Sequence, residues 1–156
     1  MSDREQRLEA LGFPLDRVAP EGTLVDPLSV AGRIVYVSGQ VAVDVDQLVS
    51  KGKVPTQVSV ADATRAAALC AANALRVVRR HFGSLDRVER ILRITGYVNS
   101  SPDFTDQHLV INGASDLFHE IFGKEGDGYH ARSALGFAQL PTGAAVEVEA
   151  IFEVIG

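Results

Sequence analysis

The chain has no tryptophan, one cysteine and one methionine, and only 6% of its 156 residues are aromatic. A lone cysteine, Cys70, excludes an intrachain disulfide. It lies in an Ala-rich helical stretch with no basic neighbour in sequence, so it reads as a small core residue and not as a thiolate nucleophile. With so few rings, the core must be built from Val, Leu, Ile and Ala. No run of about 18 apolar residues occurs, so no segment reads as a transmembrane helix and no membrane is expected as a partner. The opening MSDREQRLEALGF is polar and acidic, unlike a secretory signal, and the expected compartment is the cytoplasm.

An excess of positive charge is also missing. The formal net charge is −5 and the isoelectric point is near 5.3, which gives no general attraction to phosphate backbones. Arg76, Arg79, Arg80, Arg87, Arg90 and Arg93 cluster in sequence, but Asp86 and Glu89 dilute them, and the run reads as a solvated face. No motif with stacking aromatics is present, so nucleic acid is not an expected partner. The histidines at 81, 108, 119 and 130 form neither HxxxH nor HExxH, and no metal is expected. GxxxxGK[ST], GxGxxG and GxSxG do not occur, and no cofactor is implied.

What is present is a folding chain. Hydrophobic residues make up 46% of it, and a chain of this length buries roughly 70% of its unfolded surface. A single domain over 1–156 is expected, with 1–22 as an N-terminal helix and loop. Ser2 can cap a helix over Asp3–Leu11 that Gly12 ends. Residues 13–27, with three Pro and one Gly, read as a loop. Runs 28–31 and 34–38 flank Gly32-Arg33, a two-residue hairpin signal. Val41–Val45 continues the strand beyond Gly39-Gln40, where a Gly signals a bulge or close backbone approach. Ser59 opens the strongest helix, which runs to Gly83. Its stripe is mostly Ala and can lie close on a sheet. Residues 88–98 alternate as a strand, 99–103 turn, 115–122 form a shorter helix, and 124–128 form a loop. The class is α+β, with two main helices packed on one face of a mixed sheet.

The C-terminal stretch HARSALGFAQLPTGAAVEVEAIFEVIG reads as two strands around a Pro-containing turn, with Arg132, Glu147 and Glu149 among apolar residues. His130 is either a surface-loop histidine or part of a site with Arg132. If strands 131–140 and 145–155 form a hairpin about Thr142, Arg132 faces Phe152 and Glu147 faces Phe137. The two charges then stand about five rows apart, roughly 17 Å at the strand rise, and on opposite faces. Either the turn is bulged, or they act separately, or a site is assembled between subunits.

VYVSGQ (35–40), a helix, PDF (102–104), HARSALGFAQLP (130–141) and VEVEAI (146–151) together resemble the RidA family, also called YjgF or endoribonuclease L-PSP. LDRV, VNSSPDF and NGASDLFHEIFG resemble its chorismate-mutase-like subgroup. The resemblance covers residues ~24–154 in order. It implies a chorismate-mutase-like α+β fold, a homotrimer with clefts between subunits, and hydrolysis of enamines and imines such as 2-aminoacrylate to 2-keto acids and ammonia. The family's carboxylate-binding arginine falls on Arg132, and its water-positioning glutamate falls on Glu147. The backbone at Ser38 and Gly39 lies along the ligand, and Asn112 is the candidate for the family's asparagine.

The sequence departs from that pattern in places. Val25 stands where active deaminases carry a tyrosine, and Ala134 replaces a residue that is often Cys. Glu149 receives no role and reads as structural. The alternative is a protein that binds a small carboxylate such as a 2-keto acid without turnover. A ribonuclease reading rests on the family label alone, and a chorismate mutase reading on fold analogy alone.

Overall fold

The computed structural model describes residues 1–17 and 24–156. Helix α1 spans Asp3–Ala10, α2 spans Val60–Phe82 and α3 spans Gln107–Phe122. The strands are β1 (Leu28–Ala31), β2 (Ile34–Val41), β3 (Val43–Asp44), β4 (Gln47–Leu48), β5 (Val88–Asn99), β6 (Ala131–Phe137) and β7 (Val146–Val154). The main sheet has five strands in the order β1-β2-β7-β5-β6, and β3 and β4 form a separate ribbon.

Local chemistry sets the element ends. Ser2 caps α1 in a capping box with Glu5. Ser59 Oγ accepts the Asp62 amide at the start of α2, and Gly83 takes a left-handed conformation at its end. Ala31 and Ile34 pair across Gly32-Arg33, as the two-residue hairpin signal requires. β2 carries a bulge in which Ser38 and Gly39 interrupt the register between Val37 and Gln40. Of the loop expected over 13–27, residues 18–23 lie outside the described residues.

α2 and α3 cover one face of the sheet. The buried stripe of α2 is Ala63, Ala66, Ala67, Cys70, Ala71 and Ala74, small enough for close packing. A Cβ on Gly113 of α3 would overlap the Thr64 carbonyl oxygen of α2, so the helix crossing depends on that glycine. β7 buries Val146, Val148, Ala150, Phe152 and Val154 against the helices and turns Glu147, Glu149, Ile151 and Glu153 to the other side. Among the described residues no helix covers that second side, and Tyr36, Leu135 and Phe137 are exposed there.

Four expectations need correction. β6 and β7 are not a hairpin. β6 pairs in parallel with β5, and β7 is inserted between β2 and β5. The chain leaves β6 through a turn at Pro141–Gly143 and crosses the end of β5, where Asn99 donates its amide to Ala145 O and its side-chain Nδ2 to Ala144 O. The alternating β7 thereby gains two hydrogen-bonded neighbours, while the Gly-containing β6 takes the edge. Next, α3 begins eight residues before the expected Ser115, so Asn112 lies inside the helix and not before it. The 124–128 segment, expected as a plain loop, carries a wide turn that Gly123 separates from α3 and that the non-helical Gly126 breaks. Lastly, the arginines of 76–93 do not form one solvated face. Arg76 is buried and donates to Pro14 O and Asn73 Oδ1, while Arg90 pairs with Glu153.

Candidate functional site

Arg132 sits on the edge strand β6, level with Ile94 of β5. Ile94 is fully buried under the helices, so Arg132 is directed to the same side and meets α3. Its Nη1 donates to Asn112 Oδ1 at 2.8 Å and to Ser115 Oγ at 3.2 Å. Those two bonds use both hydrogens of Nη1. Among the described residues, no acceptor engages Nε or Nη2 and no carboxylate pairs with Arg132. The opposite edge of the guanidinium therefore presents two parallel donors, the fork that grips a carboxylate.

His130, two residues earlier, is half-buried and is not a free surface histidine. Its Nδ1 is 2.6 Å from Gly128 O and its Nε2 is 2.9 Å from Ser115 Oγ. The ring lies beside His119 and edge-on to Phe118. Burial lowers its basicity first, and the nearby His119 and Arg132 charges lower it further, against the opposing hydrogen bond to Gly128.

Glu147 occupies a different place. It pairs with Tyr97 of β5 and Val41 of β2, on the side of the sheet that bears no helix. A Cβ built on Gly39 would overlap its carboxylate, so the carboxylate lies directly against the β2 bulge. Burial raises its carboxyl above the ordinary range, and the Glu149 charge adds to the shift. Glu149 accepts a hydrogen bond from Tyr97 Oη at 2.8 Å. Burial, followed by that bond and the two glutamate charges, pushes the phenol up to about 12, which keeps it a donor. Glu149 thus has a definite partner beside Glu147.

The other sequence candidates fall in three places. Ser38 donates its backbone amide to Pro27 O and its hydroxyl to Asp26 O, tying the segment before β1 to the bulge. Val25 is 69% exposed on that segment, by β1, at the sheet edge opposite to β6. Cys70 is fully buried and its Sγ lies against Val146 O. Burial, then the Glu147 charge, raises its thiol well out of the thiolate range.

So one chain brings Arg132 and Asn112 together, and separately Glu147 and Gly39. A family model described as "YjgF/chorismate_mutase-like, putative endoribonuclease" matches residues 5–151. The chain belongs to the YjgF family. A curated relative, Protein TCP17 of Trypanosoma cruzi, is 40% identical over 146 residues, covering 94% of this chain and 91% of that one. The crystal structure of Atu1372 from Agrobacterium tumefaciens, a protein of unknown function, is 41% identical with a TM-score of 0.90, covering 97% of this chain and 92% of that one. YyfA of Yersinia pestis, from the conserved Rid protein family, shares the fold at 21% identity with a TM-score of 0.63, covering 88% of this chain and 94% of that one.

In this YjgF-family chain, sequence reasoning missed Ser115 and the partners of His130. A signal was there. Asn112, Ser115 and His119 recur at the three- and four-residue spacing of one helical face. They form a polar stripe on a sheltered side of the helix, apart from the exposed His108, Asp116 and Glu120, and a helix begun at Ser115 cuts that stripe in two. No helix among the described residues is long and apolar enough to cross a membrane.

Proposed function

We propose that this protein hydrolyses 2-imino acids to 2-keto acids and ammonia, in clefts assembled between copies of the chain as a homotrimer. The observation that carries the reading is the Arg132 guanidinium, held on Nη1 by Asn112 and Ser115 and open on its Nε and Nη2 edge. Such an edge suits a carboxylate adjacent to the reacting carbon. In the proposed reaction, water adds its oxygen to the C=N carbon and a proton goes to nitrogen. The carbinolamine then collapses to C=O as ammonia leaves. Glu147 accepts the proton from water and returns it to the departing nitrogen. Its raised carboxyl favours both roles over those of an ordinary surface glutamate. Clamping the substrate against an oriented water supplies the rest.

Glu147 and Arg132 face opposite sides of one sheet, which supports a composite site in which each comes from a different copy. The uncovered sheet side, with Tyr36, Leu135 and Phe137 exposed, supports assembly through that side. The test is release of keto acid from an enzymatically generated 2-imino acid. Wild type accelerates it over buffer, Arg132→Ala abolishes the acceleration, and no acceleration by wild type overturns the reading.

A second reading, carboxylate binding without turnover, is favoured by the exposed apolar Val25 where active relatives carry a phenol. Thermal stabilisation by 2-keto acids with no imine hydrolysis decides for it, because ligand bound to the native state raises stability.

A further inference from the structure

His130 has no part in the proposed reaction and Ser115 enters it only as a partner of Nη1, yet the two are bonded in line with Arg132. The polarity of that line is forced. A carbonyl oxygen only accepts, so the 2.6 Å contact with Gly128 O places the proton of His130 on Nδ1. A neutral ring then has Nε2 as an acceptor, and the Ser115 hydroxyl donates to it across 2.9 Å. The guanidinium only donates, so Ser115 Oγ accepts from Arg132 Nη1. The chain of donors runs Arg132, Ser115, His130, Gly128 without a break.

From this geometry we infer that Ser115 and His130 are positioning residues, which set the rotation of the Arg132 guanidinium so that its Nε and Nη2 edge faces an incoming carboxylate. The inference rests on the carboxylate-binding reading of Arg132. Neutral His130 orients the Ser115 hydroxyl away from Arg132, leaving an oxygen lone pair toward Nη1. Protonated His130 has a donor on each nitrogen. The Ser115 hydroxyl hydrogen then loses Nε2 as its acceptor, and a second cation stands behind the guanidinium. The lost anchor of the hydroxyl and the like charge loosen the hold on Nη1.

The groups facing His130 are few. α3 contributes His119 at a ring separation of 5.3 Å, together with uncharged Phe118 and Ser115. β6 contributes Arg132. On β5, Arg93 is directed to the other face, where it donates to Ser133 Oγ. Asp127, in the preceding turn, is paired with Arg4 of α1. No carboxylate on these elements offsets a charge on His130.

The experiment uses four proteins, namely wild type, Ser115→Ala, His130→Phe and His130→Gln, with pyruvate as the probe ligand. Gln keeps an acceptor near the Nε2 position and does not titrate, whereas Phe keeps the ring shape without an acceptor. Ser115→Ala and His130→Phe are expected to weaken pyruvate binding about tenfold, the scale of one lost hydrogen bond to a charged group. In imine hydrolysis the same variants raise KM about tenfold with kcat changed by less than about threefold. His130→Gln restores binding to within about threefold of wild type. Wild-type binding weakens as the pH falls through the titration of His130, and His130→Gln is flat over that range. Unchanged binding in both Ser115→Ala and His130→Phe, or a His130→Gln as weak as His130→Phe, overturns the proposal.

A second measurement needs no ligand. In nitrogen-15 spectra the two Nη groups of Arg132 are expected to be inequivalent in wild type and His130→Gln, because rotation is restrained. They are expected to average in His130→Phe and Ser115→Ala. If wild type binds no pyruvate but shows this pattern, the carboxylate reading fails and the positioning device stands. If the Nη signals are the same in all four proteins, the device fails whatever pyruvate does.

Discussion

Arg132 and Glu147 are turned to opposite faces of one sheet, two strands and three residues of register apart. That offset is roughly 10 Å along the strands and about 10 Å across them. The sheet itself fills the space between their side chains. Arg132 meets α3, whereas Glu147 meets the β2 bulge and the uncovered side. A reaction needing both must therefore draw them from different copies of the chain.

Complementation tests this directly. Arg132→Ala and Glu147→Gln are each expected to be inactive. Co-refolded one to one, they are expected to recover about a quarter of the wild-type activity, because random cyclic assembly pairs an intact arginine with an intact glutamate at that frequency. Absence of any recovery in mixed trimers that are verified by mass counts against a shared cleft.

Gly39→Ala probes the contact under Glu147. The new methyl takes the place of the carboxylate, which is the mobile end of a flexible side chain, so the fold yields cheaply. Imine hydrolysis is expected to fall by about 10²-fold, the scale of losing a positioned acid–base group. The melting temperature is expected to shift only slightly. A Gly39→Ala protein with full activity places Glu147 outside the chemistry.

Glu147→Gln carries a stability signature. A carboxyl that is raised in the folded state binds its proton more tightly there than in the unfolded chain. Its contribution is fully present below the unfolded value of 4.5 and is lost as the pH rises through the folded value. Removing the charge is therefore expected to raise the melting temperature at pH 7 to 8, with the gain shrinking toward zero below about pH 4.5. Thermal scans of both proteins across that range check it. A variant less stable than wild type at neutral pH contradicts a desolvated Glu147.

Much of the fold was legible because the signals are local. Ser2 and Ser59 mark helix starts, Gly83 marks a stop, and Gly32-Arg33 marks a two-residue hairpin; each acts through its own backbone within a few residues. The alternation of Val146, Val148, Ala150 and Phe152 with Glu147 and Glu149 assigned those glutamates to one face whichever strand lay beside them. Opposite faces for Arg132 and Glu147 were thus expected, although the pairing behind that expectation was not the one found.

Strand order was a different matter. β6 and β7 are neighbours in sequence, but β7 gains two hydrogen-bonded partners by entering between β2 and β5, and that gain depends on strands about 50 and 110 residues away in the chain. The sequence by itself determined where α1 and α2 begin, where the first hairpin turns, and which side of β7 faces the core. Only the tertiary structure decided that α3 presents Asn112 and Ser115 to Arg132, and that His130 closes the line behind them. Those contacts join a helix, a turn and an edge strand, and such proximity arises only when the packed core brings the three together.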